Sequence, residues 1–155
     1  MSSPRVHTCL WFERDGAEAA EFYCSLLPDS RVTSSYRPDP DGPPLTVEFT
    51  LCGVPYQVLN GGPMFPQSEA ASIYVETADQ AETDRLWAAL TADGGAESHC
   101  GWLKDRWGVS WQIVPAEAIR LITGGDVPAK AAMDALMQMR RIDLAKLRQA
   151  AREAG

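Results

Sequence analysis

No run of apolar residues in this chain approaches the roughly 18 that a membrane-spanning helix requires, so the sequence argues against a transmembrane segment. Positive charge is scarce too. Fourteen Lys and Arg face twenty-one Asp and Glu, a net of −7. A basic face for nucleic acid is therefore not expected, and neither is attraction to an anionic membrane. The four cysteines, Cys9, Cys24, Cys52 and Cys100, form no C-x-x-C pair. We read them as small core residues of a reduced protein and not as a disulfide framework. A catalytic thiol would need a neighbouring base that the sequence does not display. The opening stretch MSSPRVHTCLWFERD carries no long apolar core before its charges, so no signal peptide is expected and the cytoplasm is the expected compartment. What remains is ordinary: 155 residues, 45% hydrophobic and 23% charged, enough for one domain burying about two-thirds of its unfolded surface.

Internal repetition gives the chain its organisation. GVPYQVLN (53–60) and GVSWQIVP (108–115) both run Gly, Val, small residue, aromatic, Gln, branched aliphatic, aliphatic. Each closes a longer unit. HTCLWF (7–12) reads as a strand. It is followed by AEAAEFYCSLL, where Ala19, Phe22, Tyr23 and Leu26 fall at helical spacing. RVTSSY (31–36), LTVEFTL (45–51) and YQVLN (56–60) then read as strands. The order recurs with SIYVET (72–77), a helix in ADQAETDRLWAALTADGG ended by glycines, and strands in AESHCGWLKD and GVSWQIVP. The fold class expected is α+β, with module one at about 5–62, module two at about 70–115 and an extension over 116–155.

Several strings are specific enough to carry a resemblance: CLWF (9–12), EAAEFY (18–23), LNGGP (59–63), CGWLKDRWGVSWQIVP (100–115) and MQMRRIDLAKL (137–147). The chain resembles the PhnB-like, 3-demethylubiquinone-9 3-methyltransferase-type branch of the vicinal oxygen chelate (glyoxalase/bleomycin-resistance) superfamily. The resemblance implies two strand–helix–three-strand modules forming a curved sheet around a cavity, in one domain, with chains that form homodimers.

Strand alternation then sorts the side chains. If Leu10 and Phe12 meet helices on the convex side, His7, Cys9 and Trp11 face the concave one. On the repeated strands Gln57 and Leu59 share a face, as do Ser110, Gln112 and Val114, and Ser72 and Tyr74 extend the candidate ligand-binding set. The resemblance places four metal-ligand positions at His7, Gln57, Ala70 (or its neighbour Ser72) and Gln112. Only His7 is a good ligand, and no position is anionic, so a divalent ion would bind weakly and no cofactor is expected. His7, Gln57 and Gln112 are the candidate catalytic residues, with His7 as base or weak ligand and the amides orienting substrate oxygens. Each has a plain alternative: a satisfied strand histidine, or structural amides that record a duplication.

LNGGP is not expected to cradle phosphate or adenosyl-methionine, since prolines follow its glycines and no helix does; methyl transfer is accordingly doubted. It reads as a chain reversal. Lys104 with Asp105 reads as a turn, a catalytic pair only if buried. His99, Trp102 and Trp107 stay open. In the extension, Pro128 suits a first helical turn, Ala132, Leu136 and Met139 make a stripe, and Asp143 suits the cap of a helix carrying Leu144 and Leu147. That extension either packs on its own domain or reaches over a partner subunit, with Met133 and Met137 adaptable at a contact. Two functions follow: a glyoxalase-like enzyme on a small oxygenated or aromatic metabolite, or a protein that sequesters a small molecule. The charge and the tryptophans suit a cationic aromatic ligand.

Overall fold

A computed structural model describes residues 2–155. The chain divides into two compact units, one ending at Gln67 and the other beginning at Ser68.

The first unit holds β1 (Thr8–Phe12), α1 (Gly16–Leu26), β2 (Arg31–Tyr36), β3 (Thr46–Leu51) and β4 (Val54–Asn60). Its sheet runs β1-β4-β3-β2, with β1 parallel to β4 and the other pairs antiparallel. Alternation on these strands separates two faces. Leu10, Phe12, Val47, Phe49, Leu51 and Val58 are buried, and Tyr23 of α1 packs its ring 6.5 Å from that of Phe49. The buried side of α1 consists of Gly16, Ala19, Ala20 and Tyr23, whereas the expected stripe had Phe22 and Leu26, which are only half-buried. Close approach explains the change, because a Cβ at Gly16 would lie 3.0 Å from the Val58 side chain. Small residues let the helix sit low on the strand. At the head of α1 the Asp15 side chain makes no cap bond. Asn60 accepts from the Gly16 N–H instead, at 2.8 Å, and donates to the Pro44 carbonyl at 3.0 Å. The β3–β4 hairpin turns on Cys52 and Gly53, both at positive φ (48° and 78°), as a two-residue type I′ turn requires. Here the core reading of the cysteines is corrected. None of the four forms a disulfide among the described residues, Cys9 and Cys52 are exposed, and Cys24 and Cys100 are only partly covered.

The second unit repeats the plan with β5 (Ser72–Thr77), α2 (Gln80–Thr91), β6 (Ala96–Glu97), β7 (Trp102–Lys104) and β8 (Ser110–Pro115). The order β5-β8-β7-β6, with β5 parallel to β8, is the same permutation. Asp79 caps α2 by accepting from the Glu82 N–H at 2.9 Å, and Thr83, Leu86, Trp87 and Leu90 form the buried side. AESHCGWLKD is two strands and not one. Cys100 and Gly101 take positive φ (57° and 85°) and reverse the chain between them.

Three helices complete this unit: α3 (Ala116–Ile122), α4 (Val127–Leu136) and α5 (Leu144–Ala154). The first was not foreseen, and its seven residues bury only Ala118 fully. The others follow the expected signals. Asp126 caps α4 through the Ala129 N–H, with Pro128 in the first turn, and Asp143 caps α5 through the Lys146 N–H. Ala132, Leu136 and Met139 are buried. Together Leu136, Met139, Ile142, Leu144 and Leu147 close a core over Val114 and Ala118. Gln80 fastens the extension to α2, donating to the Ile142 carbonyl and accepting from the Leu144 N–H, at 2.9 and 2.8 Å. The extension therefore packs on its own unit. Among the described residues no helix is long and apolar enough to cross a membrane.

Candidate functional site

One face of the first sheet carries α1, and the other carries most of the candidate residues. Its side chains stand in rows fixed by strand register. Cys9, Gln57, Glu48 and Ser34 are successive cross-strand neighbours on β1, β4, β3 and β2. Trp11, Leu59, Thr46 and Tyr36 make the next row. Gln57 is half-buried. Glu48, absent from the sequence-based set, puts a carboxylate directly beside it, where paired Cβ atoms lie about 5 Å apart. Ser34 Oγ donates to Glu48 Oε2 at 2.9 Å. None of the four ligand positions is anionic, but this carboxylate stands beside one of them. A glutamate inside an alternating strand looks like any solvent-facing residue until its partner strand is known. Partial burial pushes the Cys9 thiol up, although the residue as a whole is exposed, so it stays protonated near neutral pH and is a poor nucleophile. His7 lies one residue before β1 and is half-buried.

Trp11 is held by the segment after β4. Its Nε1 donates to the Gly62 carbonyl at 2.8 Å, its ring meets Phe65 edge-on at 4.8 Å, and Gln67 donates to its carbonyl. The glycines of LNGGP serve this contact. A Cβ on Gly61 would fall 2.3 Å from Trp11 Cζ2 and 2.4 Å from Cη2. Gly61→Ala should therefore expel the indole, shift the tryptophan fluorescence and near-UV dichroism, and cost about 1–3 kcal/mol as an overpacking change. An unchanged spectrum would show that the ring has other room.

On the second sheet the duplication can be read residue by residue. Gln112 of β8 is opposite Tyr74 of β5, as Gln57 is opposite Cys9, and Ser72 is opposite Ser110. Trp102 of β7 takes the place that Glu48 holds in the first unit. Gln112 Nε2 donates to Ser72 Oγ at 2.8 Å. The position matching His7 is thus Ser72; Ala70 lies in the turn before β5 and is exposed. Tyr74 is 46% exposed, and its phenol is pushed up by desolvation and then by the charge of Glu76. Ser110 is only 1% exposed, at the edge of a cavity of about 200 Å³ lined also by Glu69, Trp102 and Lys104. Val114, expected beside Gln112 on the concave face, is claimed by the core under α4 and α5.

Lys104 and Asp105 do not act as a pair. Lys104 bonds Glu69 at 2.6 Å. Asp105, 2% exposed, accepts from the Trp107 and Val109 N–H groups and from Trp111 Nε1, all within 3.0 Å. It is a staple of the β7–β8 turn. His99 is exposed in the β6–β7 turn.

Neither unit's donor set fits a tightly held divalent cation. His7 and Gln57 in the first unit offer an imidazole and an amide oxygen, and Ser72 and Gln112 in the second offer a hydroxyl, which already accepts from Gln112, and an amide oxygen. Such neutral donors lack the anionic charge that hard cations need. Among the described residues no three His, Cys, Asp or Glu side chains gather as metal ligands.

Comparison with known proteins agrees with this architecture. Residues 4–114 match the family described as 3-demethylubiquinone-9 3-methyltransferase. The PhnB protein from Bacillus cereus is 31% identical, over 73% of this chain and 100% of its own, with a TM-score of 0.66. Protein PA1353 from Pseudomonas aeruginosa is 20% identical over 73% of this chain and 98% of its own, with a TM-score of 0.58. The fosfomycin resistance protein FosX from Listeria monocytogenes is 14% identical over 75% and 93%, with a TM-score of 0.56; these last two share the fold alone. No curated protein matches the chain in sequence. With two modules of identical strand order and a family match spanning both, the chain belongs to the 3-demethylubiquinone-9 3-methyltransferase (PhnB-like) family.

Proposed function

We propose that this PhnB-like protein binds a small oxygenated or aromatic molecule on the sheet face that bears Gln57, and that the face bearing Gln112 in the second unit offers the matching arrangement. The observation that carries this is the matched register of the two glutamines, each one opposite the first strand of its module. An amide offers both a donor and an acceptor. The Gln57 side chain has no hydrogen-bond partner among the described residues, leaving both functions for a ligand. Cys9, Trp11 and Leu59 on one face, and Ser72 and Tyr74 on the other, supply the apolar and hydroxyl surroundings that small-molecule sites use.

A catalytic reading is favoured by one observation, the carboxylate of Glu48 beside Gln57. In it His7 is the base and the two amides orient substrate oxygens. No metal or adenosyl-methionine step is included. Homodimerisation, a cytoplasmic location and action of residues 1–155 as one domain belong to the same proposal.

Thermal-shift screening against small oxygenated aromatics, followed by calorimetry, tests it. A ligand that binds the native state raises Tm by mass action. Gln57→Leu should then weaken binding about tenfold, as loss of one or two hydrogen bonds does. Ligand recovered unchanged supports sequestration; conversion that His7→Ala abolishes, with binding retained, supports the enzyme. Undiminished affinity in both Gln57→Leu and Gln112→Leu would overturn the site.

A further inference from the structure

We propose that Glu48 makes the open face of the first sheet selective for a protonated amine carried on an aromatic or apolar body. This deepens the small-molecule reading above and rests on it.

The argument begins with what shares the face. Glu48 lies on β3, an inner strand, between Gln57 and Ser34. Its row is otherwise neutral, and so is the next row, Trp11, Leu59, Thr46 and Tyr36. Among the described residues no Lys, Arg or His pairs with it. Arg31, opposite Thr50 on β2, makes no ion pair with it. Its one partner is the neutral hydroxyl of Ser34. A half-buried carboxylate beside an unpartnered amide side chain and engaged in no ion pair is an acceptor set waiting for donors. Ionised, it offers about four lone-pair sites, of which Ser34 uses one.

The neighbouring row supplies the rest of the recognition. Residues two apart on a strand are separated by about 7 Å, and adjacent strands by about 4.8 Å. A ring resting on Leu59 and Thr46 would thus place a short aminoalkyl arm over Glu48 and the Gln57 carbonyl. Trp11 stands at one end of this row and Tyr36, 59% exposed, at the other. Both present ring faces or edges to an apolar body, and an indole attracts a nearby cation. An N–H-bearing ammonium fits this acceptor set better than a quaternary one, because carboxylate, amide and hydroxyl oxygens all accept. An anionic ligand would meet Glu48 as a like charge.

Calorimetric titration with three probes of one shape decides the matter: 2-phenylethylamine, 2-phenylethanol and 3-phenylpropionate, which are cationic, neutral and anionic at pH 7. The amine should bind roughly tenfold or more tightly than the alcohol, as a charge-assisted hydrogen bond implies, and the acid should bind least. Added salt should narrow the gap. Glu48→Gln should bring the amine down to the alcohol and leave the alcohol unchanged. Equal binding of amine and alcohol by the unaltered protein, or a preference that survives in Glu48→Gln, would overturn the inference while leaving small-molecule binding in place. Failure of all three probes to bind at millimolar concentration would overturn both. The comparison among probes on the unaltered protein needs no variant to fold.

Discussion

Ending the chain after Ile122 should leave a protein whose second unit does not fold. The truncation removes α4 and α5, and with them Leu136, Met139, Ile142, Leu144 and Leu147, every one of them buried. At about 1.5–3 kcal/mol per buried aliphatic side chain, five of them contribute about 10 kcal/mol, an upper figure because unfolded chains already bury some surface. Whole domains are stable by only about 5–15 kcal/mol. Val114 and Ala118 would be uncovered, and the Cys100 and Gly101 N–H groups would lose the Met139 and Arg140 carbonyls they reach at 2.8 Å. Insoluble expression, or loss of the near-UV dichroism of Trp87 and Trp111, is the expected result. A truncated protein that melts cooperatively at the full-length temperature would show that the extension is an accessory arm, although it lies outside the family match at 4–114.

Asp105→Ala should be the most damaging single substitution at a polar residue. The carboxylate is buried and receives three N–H donors, from Trp107, Val109 and Trp111. Removing it strands all three near the foot of β8, with Trp111 itself 1% exposed. Breaking a buried charged network costs about 3–5 kcal/mol, readable as a fall in the urea midpoint without a change of slope. Asp105→Asn should recover part of this. Its Oδ1 can still accept from the two backbone groups, but its N–H₂ then opposes the Trp111 N–H. A loss below about 1 kcal/mol in the alanine variant would mean that water replaces the carboxylate.

These two predictions rest on features of different legibility. The stripe Ala132, Leu136, Met139 and the caps Asp126 and Asp143 are signals written in neighbouring residues. The fold class was legible for the same reason: two glutamine-centred strands, two amphipathic helices and glycine turns recur in order, and local periodicity survives whatever the chain does elsewhere. The missed helix α3 buries one residue fully and so presents no stripe to read. The cysteines misled because residue type predicts burial only on average, whereas Cys52 and Cys100 sit in turns at positive φ.

The site was harder to read than the frame. Alternation alone told which residues of β1 and β4 share a face, so Cys9, Trp11, Gln57 and Leu59 could be grouped from the sequence. Register between strands could not be obtained that way. A shift of a single residue flips every side chain, and the partner strands lie tens of residues away. Pairing with β8 put Ser72, and not Ala70, opposite Ser110 and within hydrogen-bond reach of Gln112; pairing with β4 brought Glu48 beside Gln57. Packing made LNGGP a berth for the Trp11 ring and Asp105 a buried staple. The sequence by itself determined the repeat, the elements and their faces, because these depend on residues a few positions apart. Only the tertiary structure decided which polar groups meet, because hydrogen bonds and cross-strand neighbours are set by distances that the linear order of residues does not contain.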